Sequence, residues 1–198
     1  MTTRLILASA SPARLQLLRA AGIATEVIVS GVDEDAFSGP DAATRCVATA
    51  TAKARAVSAG VDDGLVLGCD SLLDLDGEAL GKPPSAAEAL TRWRRMAGRA
   101  GTLHTGHCLI DAGTGREETD LASTVVHFGT PTEAELAAYV GSGEPLRVAG
   151  GFTIDGLGGP FIDGVEGDPG AVIGLSLPLL RRLLGRFGLP ISALWAAL

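Results

Sequence analysis

Leu5-Ile6-Leu7-Ala8-Ser9-Ala10-Ser11-Pro12 is the stretch on which the fold turns. Its first four residues form a short apolar run of the kind a fully buried strand carries, and Ser9-Ala10-Ser11 breaks that run into a loop. Pro12 suits the first position of a helix, where its missing N–H is no loss, and Ser11 before it is a ready N-cap. Leu15, Leu17, Leu18 and Ala21 then share one broad face of a helix that ends at Gly22. Strand, loop and helix in that order open an α/β protein, with the free N–H groups of the first helical turn facing the serine loop.

The alternation continues outward from there. A short strand is expected around Val27 to Val29, and an acidic turn containing Val32-Asp33-Glu34 follows it. An alanine-rich helix then runs from about Asp41 to Ala59 and stops at Gly60, with Lys53 and Arg55 in its last part. Leu65 to Gly68 reads as a buried strand ending in Cys69-Asp70-Ser71, and Leu72 to Leu75 with Asp76-Gly77 reads as a hairpin. After Gly81-Lys82-Pro83, the Ser85 to Glu88 capping box opens a helix to about Ala97. Gly101 to Asp111 and Glu117 to Phe128 are longer strands joined across Gly113-Thr114-Gly115, antiparallel material inside an α/β chain. Thr132 to Glu135 is a second capping box. Residues 141–174 are glycine-rich and read as tight turns and close backbone approaches rather than a linker. Pro178 to Phe187 and Pro190 to Ala197 are both helical by pattern and are expected to dock on the core.

The 198 residues suit one domain, and 46% apolar with only 4% aromatic residues describes an aliphatic core and excludes a disordered chain. Sixteen Lys and Arg against 23 Asp and Glu leave a net charge of −7, which excludes a basic field able to hold a polynucleotide. An anionic ligand must therefore be met by a few locally placed cations. Cys46, Cys69 and Cys108 are odd in number and form no C-x-x-C pair, so neither a disulfide framework nor a structural zinc site is indicated. The apolar run after Arg4 is too short for a secretory leader, and no run approaches the ~18 apolar residues of a membrane span. A cytoplasmic protein is expected.

Asp70 follows residues that favour burial, and a buried carboxylate must be hydrogen-bonded, paired with a cation or bound to a metal. Such groups gather at functional sites, although a strand-end aspartate capping a turn is the plain alternative. Glu34, Lys53 and Lys82 taken singly are ordinary surface residues; with Arg14 they make a set suited to phosphate and metal. A triphosphate needs cations or helix N-terminal amides for its oxygens, which Ser9, Ser11 and the helix start can supply. It also needs carboxylates for a divalent cation bridging the phosphates, which Glu34 and Asp70 can supply. There is no P-loop, and Gly156-Leu157-Gly158-Gly159 lacks the strand-then-helix setting of a dinucleotide fingerprint. His104 and His107 point to opposite faces of one strand and, like His127, read as structural. The cysteines read as buried and inert, and Trp93 and Trp195 as packing residues.

Leu7 to Pro12 with Arg14 and Leu17-Leu18, Val32-Asp33-Glu34, Lys53-Ala54, Gly68-Cys69-Asp70-Ser71, Gly81-Lys82-Pro83 and the stretch from Gly150 to Gly174 together resemble the Maf family of nucleoside triphosphate pyrophosphatases. The match is ordered and spans nearly the whole chain. The resemblance implies an elongated α/β fold of the Maf and inosine triphosphatase type, a curved mixed sheet flanked by helices around a central cleft. A single domain over residues 1–198 would have room for two lobes about that cleft. The activity implied is metal-dependent hydrolysis of nucleoside triphosphates, modified ones included, between the α- and β-phosphates, a house-cleaning role with Mg2+ or Mn2+ as cofactor. By resemblance Asp70 is the catalytic acid and proton acceptor, with Glu34 assisting the metal or water. Ser9, Ser11, Arg14, Lys53 and Lys82 match phosphate-contacting positions. A homodimer is the oligomer implied. The alternative is a nucleotide-binding regulator of septum formation that does not need catalysis, since the family is associated with arrest of septation.

Three positions depart from the family pattern and bear on the base. Ala13 stands where the first of two arginines is usual, Ser71 where the UTP and dTTP branch has Thr, and Asp155 where that branch has Gln. A carboxylate at Asp155 accepts from adjacent N–H donors, as on the guanine edge, whereas Gln offers a donor and an acceptor that suit uracil or thymine. The 7-methyl-GTP branch has Glu there, but its Trp and Gln are not matched by Ala13 and Ser71. A non-pyrimidine or broad preference is expected.

Overall fold

The computed structural model describes residues 3–196. Strand β1 (Leu5–Leu7) leads through the serine loop into α1 (Pro12–Ala20), β2 (Thr25–Val27) and the long helix α2 (Ala42–Ser58). The long strand β3 (Leu65–Leu75) turns into β4 (Glu78–Leu80), and α3 (Ala86–Met96) precedes the antiparallel pair β5 (Ala100–Asp111) and β6 (Glu117–Phe128). Helix α4 (Glu133–Gly141), β7 (Ile162–Glu166), α5 (Pro169–Ile173) and α6 (Leu177–Arg186) follow. The strands form one mixed sheet in the order β2-β1-β3-β5-β6-β7, with β4 on the far end of β3. β1 lies parallel between β2 and β3, and the remaining pairs are antiparallel.

That order places a topological switch at β1. The chain leaves β1 for β2 on one side by way of α1, then crosses to β3 on the other side by way of α2. The two helices also take opposite faces. Leu5 and Leu7 pack with Leu18 of α1 and with Leu179, Leu180, Leu183 and Leu184 of α6, while Ile6 and Ala8 pack with Ala50, Ala54 and Val57 of α2. A crevice therefore opens beyond the carboxyl end of β1, the place where open α/β sheets hold ligands. β1 stops at Leu7, opposite Leu67, and β4 joins β3 only from Leu73, so the edge of β3 from Gly68 to Leu72 has no neighbouring strand on that side. A further apolar cluster, built on Leu73, Leu75, Trp93, Met96, Phe128, Tyr139 and Phe152, fills the far end of the sheet.

Two glycines set how closely α2 approaches the sheet. A Cβ on Gly68 would lie 2.1 Å from the carbonyl oxygen of Ala50, and one on Gly106 would lie 2.5 Å from the backbone of Cys46. The helix backbone rests directly on β3 and β5. Asp70 is the cross-strand partner of Gly106 and lies two residues from Gly68, so its side chain emerges beneath α2.

Several elements depart from the sequence reading. β3 does not end at Cys69-Asp70-Ser71 but runs on to Leu75, where Asp76 and Gly77, both at positive φ, make the hairpin turn. β2 lies at 25–27 rather than 27–29, and Val29 is exposed. Ser85 accepts from the Glu88 N–H, but the Glu88 carboxylate pairs with Arg92 rather than closing the box. The glycine-rich segment contains β7 and α5 as well as turns. The expected helix from Pro190 to Ala197 is only a 3-10 turn at Ile191–Leu194; Trp195 is half-exposed, and Ala197 lies outside the described residues. Trp93, by contrast, is buried among Phe128, Tyr139 and Phe161 in edge-to-face contacts. No helix among the described residues is long and apolar enough to cross a membrane.

Candidate active site

The crevice beyond β1 gathers charges from four segments. Lys53 projects from α2 and donates from Nζ to Asp70 Oδ1 at 2.8 Å and to Glu34 Oε1 at 2.6 Å. Glu34 begins the 3-10 turn Glu34–Ala36, and its Oε2 accepts from Lys82 Nζ at 3.0 Å. The chain Asp70–Lys53–Glu34–Lys82 thus runs from the interior to solvent. Side-chain exposure rises from 10% at Asp70 and 5% at Lys53 to 43% at Glu34 and 54% at Lys82.

Burial and charge act on the two carboxylates in different proportions. Burial pushes the Asp70 carboxyl above the ordinary aspartate range, and Lys53 and Arg14 pull it back only in part. Burial also works upward on Glu34, but its bonds to Lys53 and Lys82 outweigh it and hold the carboxyl at about 2. The buried acid is therefore the stronger base of the two. Lys53 holds its Oδ1, and the described residues place no donor on Oδ2.

A second group faces Asp70 from the opposite side of β3. Arg14, 8% exposed, donates from Nε to the Gly174 carbonyl at 2.7 Å, from Nη1 to Ser9 Oγ at 3.0 Å and from Nη2 to Ser71 Oγ at 3.2 Å. All these partners are neutral. A buried guanidinium with no carboxylate hydrogen-bonded to it among the described residues, and with two of its five N–H groups left over, is suited to an anion. Ser9 Oγ accepts from Arg14 and from the Ser11 N–H at 3.2 Å, so its own proton remains for a ligand oxygen. Ser11 caps α1, its Oγ 3.5 Å from the Arg14 N–H.

The sequence-derived set thus falls into two hydrogen-bonded groups about β3, Glu34, Lys53, Asp70 and Lys82 in one and Ser9, Ser11, Arg14 and Ser71 in the other, with the Arg14 charge acting on Asp70. Ala13 lies half-buried in the first turn of α1 and makes no polar side-chain contact. Asp155 is exposed on the loop before Gly156, outside the ion-pair chain. That loop is held from below by Glu144, whose carboxylate accepts from Thr153 Oγ1 and from the N–H groups of Leu157 and Gly158. Ser71 points to the face opposite Asp70 and touches Arg14, a phosphate-type cation, rather than the Asp155 loop.

Thr105 was not singled out by the sequence. It is fully buried, pairs with Ser71 across the β3–β5 ladder, and places Oγ1 3.0 Å from Ser71 Oγ. His107 on the same face is buried and neutral: desolvation, aided by Arg14, lowers it to about 4, while Nδ1 faces the Thr105 carbonyl and Nε2 accepts from the Ser176 N–H. His104 and His127 bond to Ser123 and Glu166, away from the crevice. The three cysteines are free and buried, each thiol pushed up by burial.

Fold and crevice define an α/β protein of the switch-point type with an acid–lysine–acid chain beside a guanidinium that, among the described residues, is hydrogen-bonded to neutral groups. Comparison with known families makes this specific. Residues 4–187 match the family described as Maf-like protein, and the chain belongs to it. It is 63% identical over 195 residues to a protein of Streptomyces coelicolor named nucleoside triphosphate pyrophosphatase, covering 98% of this chain and 95% of that one. A Streptomyces avermitilis protein of the same name is 61% identical, covering 97% and 94% of the two chains. One from Salinispora tropica is 54% identical, covering 98% and 88%.

Proposed function

We propose that this chain is a nucleoside triphosphate pyrophosphatase, hydrolysing the bond between the α- and β-phosphates to release a nucleoside monophosphate and pyrophosphate. The observation that carries the reading is the buried Asp70, raised in pKa and held by Lys53, within a crevice that also holds the cation Arg14. Water attacking the α-phosphorus must be oriented and must lose a proton. Asp70 Oδ2 receives that proton, and the raised pKa makes it a better acceptor than an ordinary aspartate. Lys53 and Lys82 stand where charge grows on the pyrophosphate leaving group. Arg14, Ser9 and the first turn of α1, capped by Ser11, bind and orient the phosphates.

A divalent cation, Mg2+ or Mn2+, fits the donors present if the substrate shares it. Asp70 and Glu34 would hold it through hard carboxylate oxygens, and no third Asp, Glu, His or Cys joins them among the described residues. Such a pair suits an ion that takes its other ligands from phosphates and water. Bound there, it would neutralise phosphate charge. The apolar clusters at the two ends of β3 are read as two lobes closing on the substrate, and the protein as a cytoplasmic enzyme that clears nucleotides, modified ones included. A homodimer is the expected assembly. For the base, Asp155 favours purine-type N–H donors, so Asp155→Gln is expected to shift relative turnover toward UTP; unchanged ratios would remove Asp155 from base selection.

The test is pyrophosphate against orthophosphate release from GTP, ATP, UTP, dTTP and 7-methyl-GTP with Mg2+, Mn2+ or EDTA, with Asp70→Asn alongside. Pyrophosphate release that the variant and EDTA abolish is expected. Orthophosphate release, or binding of every nucleotide without turnover, would overturn the assignment.

A further inference from the structure

Arg14 depends on a hydroxyl pair whose proton direction is fixed by the fold. Thr105 Oγ1 lies 2.8 Å from the Ala171 carbonyl oxygen, and a carbonyl only accepts, so the single threonine proton is committed there. The proton in the 3.0 Å contact between Ser71 Oγ and Thr105 Oγ1 must then be the serine's. Ser71 Oγ is left with lone pairs only, and Arg14 Nη2 lies 3.2 Å from them. The order is Arg14 to Ser71 to Thr105 to Ala171, each group donating to the next. Were Thr105 free to donate to Ser71 instead, the serine proton would be free to swing toward the guanidinium and oppose it.

The same side chains fasten the segment 171–176. Thr105 takes the Ala171 carbonyl, Arg14 takes the Gly174 carbonyl, and His107 accepts from the Ser176 N–H. The guanidinium is therefore braced on two sides. Its Nε is held by a backbone carbonyl in a loop that Thr105 also anchors, and its Nη2 by a serine that Thr105 polarises. Asp70 and Lys53 lie on the opposite face of the sheet from Thr105, which cannot touch the reacting atoms.

We propose that Thr105 is a positioning residue for the triphosphate: it fixes Arg14 as an anion-binding group and acts only through it. This rests on the pyrophosphatase reading, since it takes Arg14 as a phosphate contact. Thr105→Val removes the hydroxyl at nearly constant shape, and Thr105→Ser returns it. Binding of inorganic triphosphate by calorimetry reads the anion site without turnover, and KM and kcat with GTP read it in the reaction. For Thr105→Val, Kd and KM are expected to rise about tenfold, the scale of one hydrogen bond to a charged group, with kcat changed less than about twofold. Thr105→Ser is expected to restore both. In an Arg14→Lys background, Thr105→Val should add less than about twofold. Should Thr105→Val not fold, Thr105→Cys, which puts a weakly bonding thiol in place of the hydroxyl at similar size, gives the same reading. An unchanged Kd, a loss confined to kcat, or an equal tenfold loss in the Arg14→Lys background would overturn the proposal. A wild-type chain that binds triphosphate but releases no pyrophosphate would overturn the pyrophosphatase reading, leaving the Kd comparison to decide Thr105 by itself.

Discussion

Replacing Lys53 with Met is the perturbation that exposes how the crevice is balanced. The ammonium donates to Asp70 at 2.8 Å and to Glu34 at 2.6 Å and is nearly fully buried, so methionine keeps its bulk and removes its charge. Glu34 keeps Lys82 at 3.0 Å and is partly solvated. Among the described residues Asp70 loses its one hydrogen-bonded cation in a buried setting, and breaking one side of such a pair typically costs ~3–5 kcal/mol. The carboxyl has an escape, which is to take up a proton. Relative to an unfolded chain in which aspartate ionises near its reference value of ~3.9, that costs about 1.4 kcal/mol per pH unit above it. The cost is ~4 kcal/mol at pH 7 and ~1.5 kcal/mol at pH 5. The destabilisation of Lys53→Met is therefore expected to reach at most ~4 kcal/mol at pH 7, less whatever Arg14 contributes, and to shrink by ~2–3 kcal/mol at pH 5. Equilibrium urea unfolding of wild type and variant at both pH values measures the difference, in which the titration of His107 cancels. Lys53→Met/Asp70→Asn should recover most of the loss. A destabilisation equal at the two pH values, or a double variant no more stable than the single one, would refute the coupling.

Three further outcomes follow from the same structure. Asp70→Asn should reduce turnover by ~10²–10⁴ while leaving the thermal midpoint unchanged or higher, because the raised pKa means that the ionised carboxylate opposes folding; a lowered midpoint with retained turnover would contradict this. His107 is held neutral to about 4, so between its reference pKa near 6.5 and that value the unfolded chain binds a proton that the folded chain does not. Stability is therefore lost as pH falls, and urea titrations should show wild type losing ~2 kcal/mol more than His107→Gln between pH 7 and 5. Gly106→Ala puts a methyl 2.5 Å from the Cys46 backbone and should cost more than ~3 kcal/mol, whereas helical Gly185, with nothing within 4 Å of a Cβ, should gain ~1 kcal/mol as Ala; equal midpoints would discount the close approach.

The parts of the fold written locally were legible. Ser11-Pro12 announced α1, Asp41 and Gly60 bracketed α2, and Gly113-Thr114-Gly115 announced the β5–β6 turn, because caps and turns depend on adjacent residues. Asp70 was legible as a carboxylate among residues that favour burial. Its pairing with Lys53 was not, since it requires α2 to cross β3 at Gly68. Ser71 and Thr105 meet only through strand register, 34 residues apart in sequence, and nothing local to either signals the other. β7 was hidden because its Ile-Asp-Gly-Val-Glu sequence sits among glycines, and pairing with the end of β6 decides it. At the carboxyl terminus helical spacing was present, yet Trp195 turns back to bridge Ile23.

At Gly68 and Gly106 the backbone of α2 meets the strands with no side chain of theirs between, so main chain against main chain sets the separation of Lys53 from Asp70. Side-chain interiors drift as sequences diverge, each change absorbed by its neighbours, but main chain against main chain has no such slack. A library randomised at Leu179, Leu180, Leu183 and Leu184, which pack on the other face of the sheet, should therefore yield many altered interiors with unaltered chemistry. Randomising the two glycines should return glycine alone. The reacting geometry is insulated from most of the variation the rest of the chain can accumulate, and that leaves the exposed loops as the part free to change what is bound.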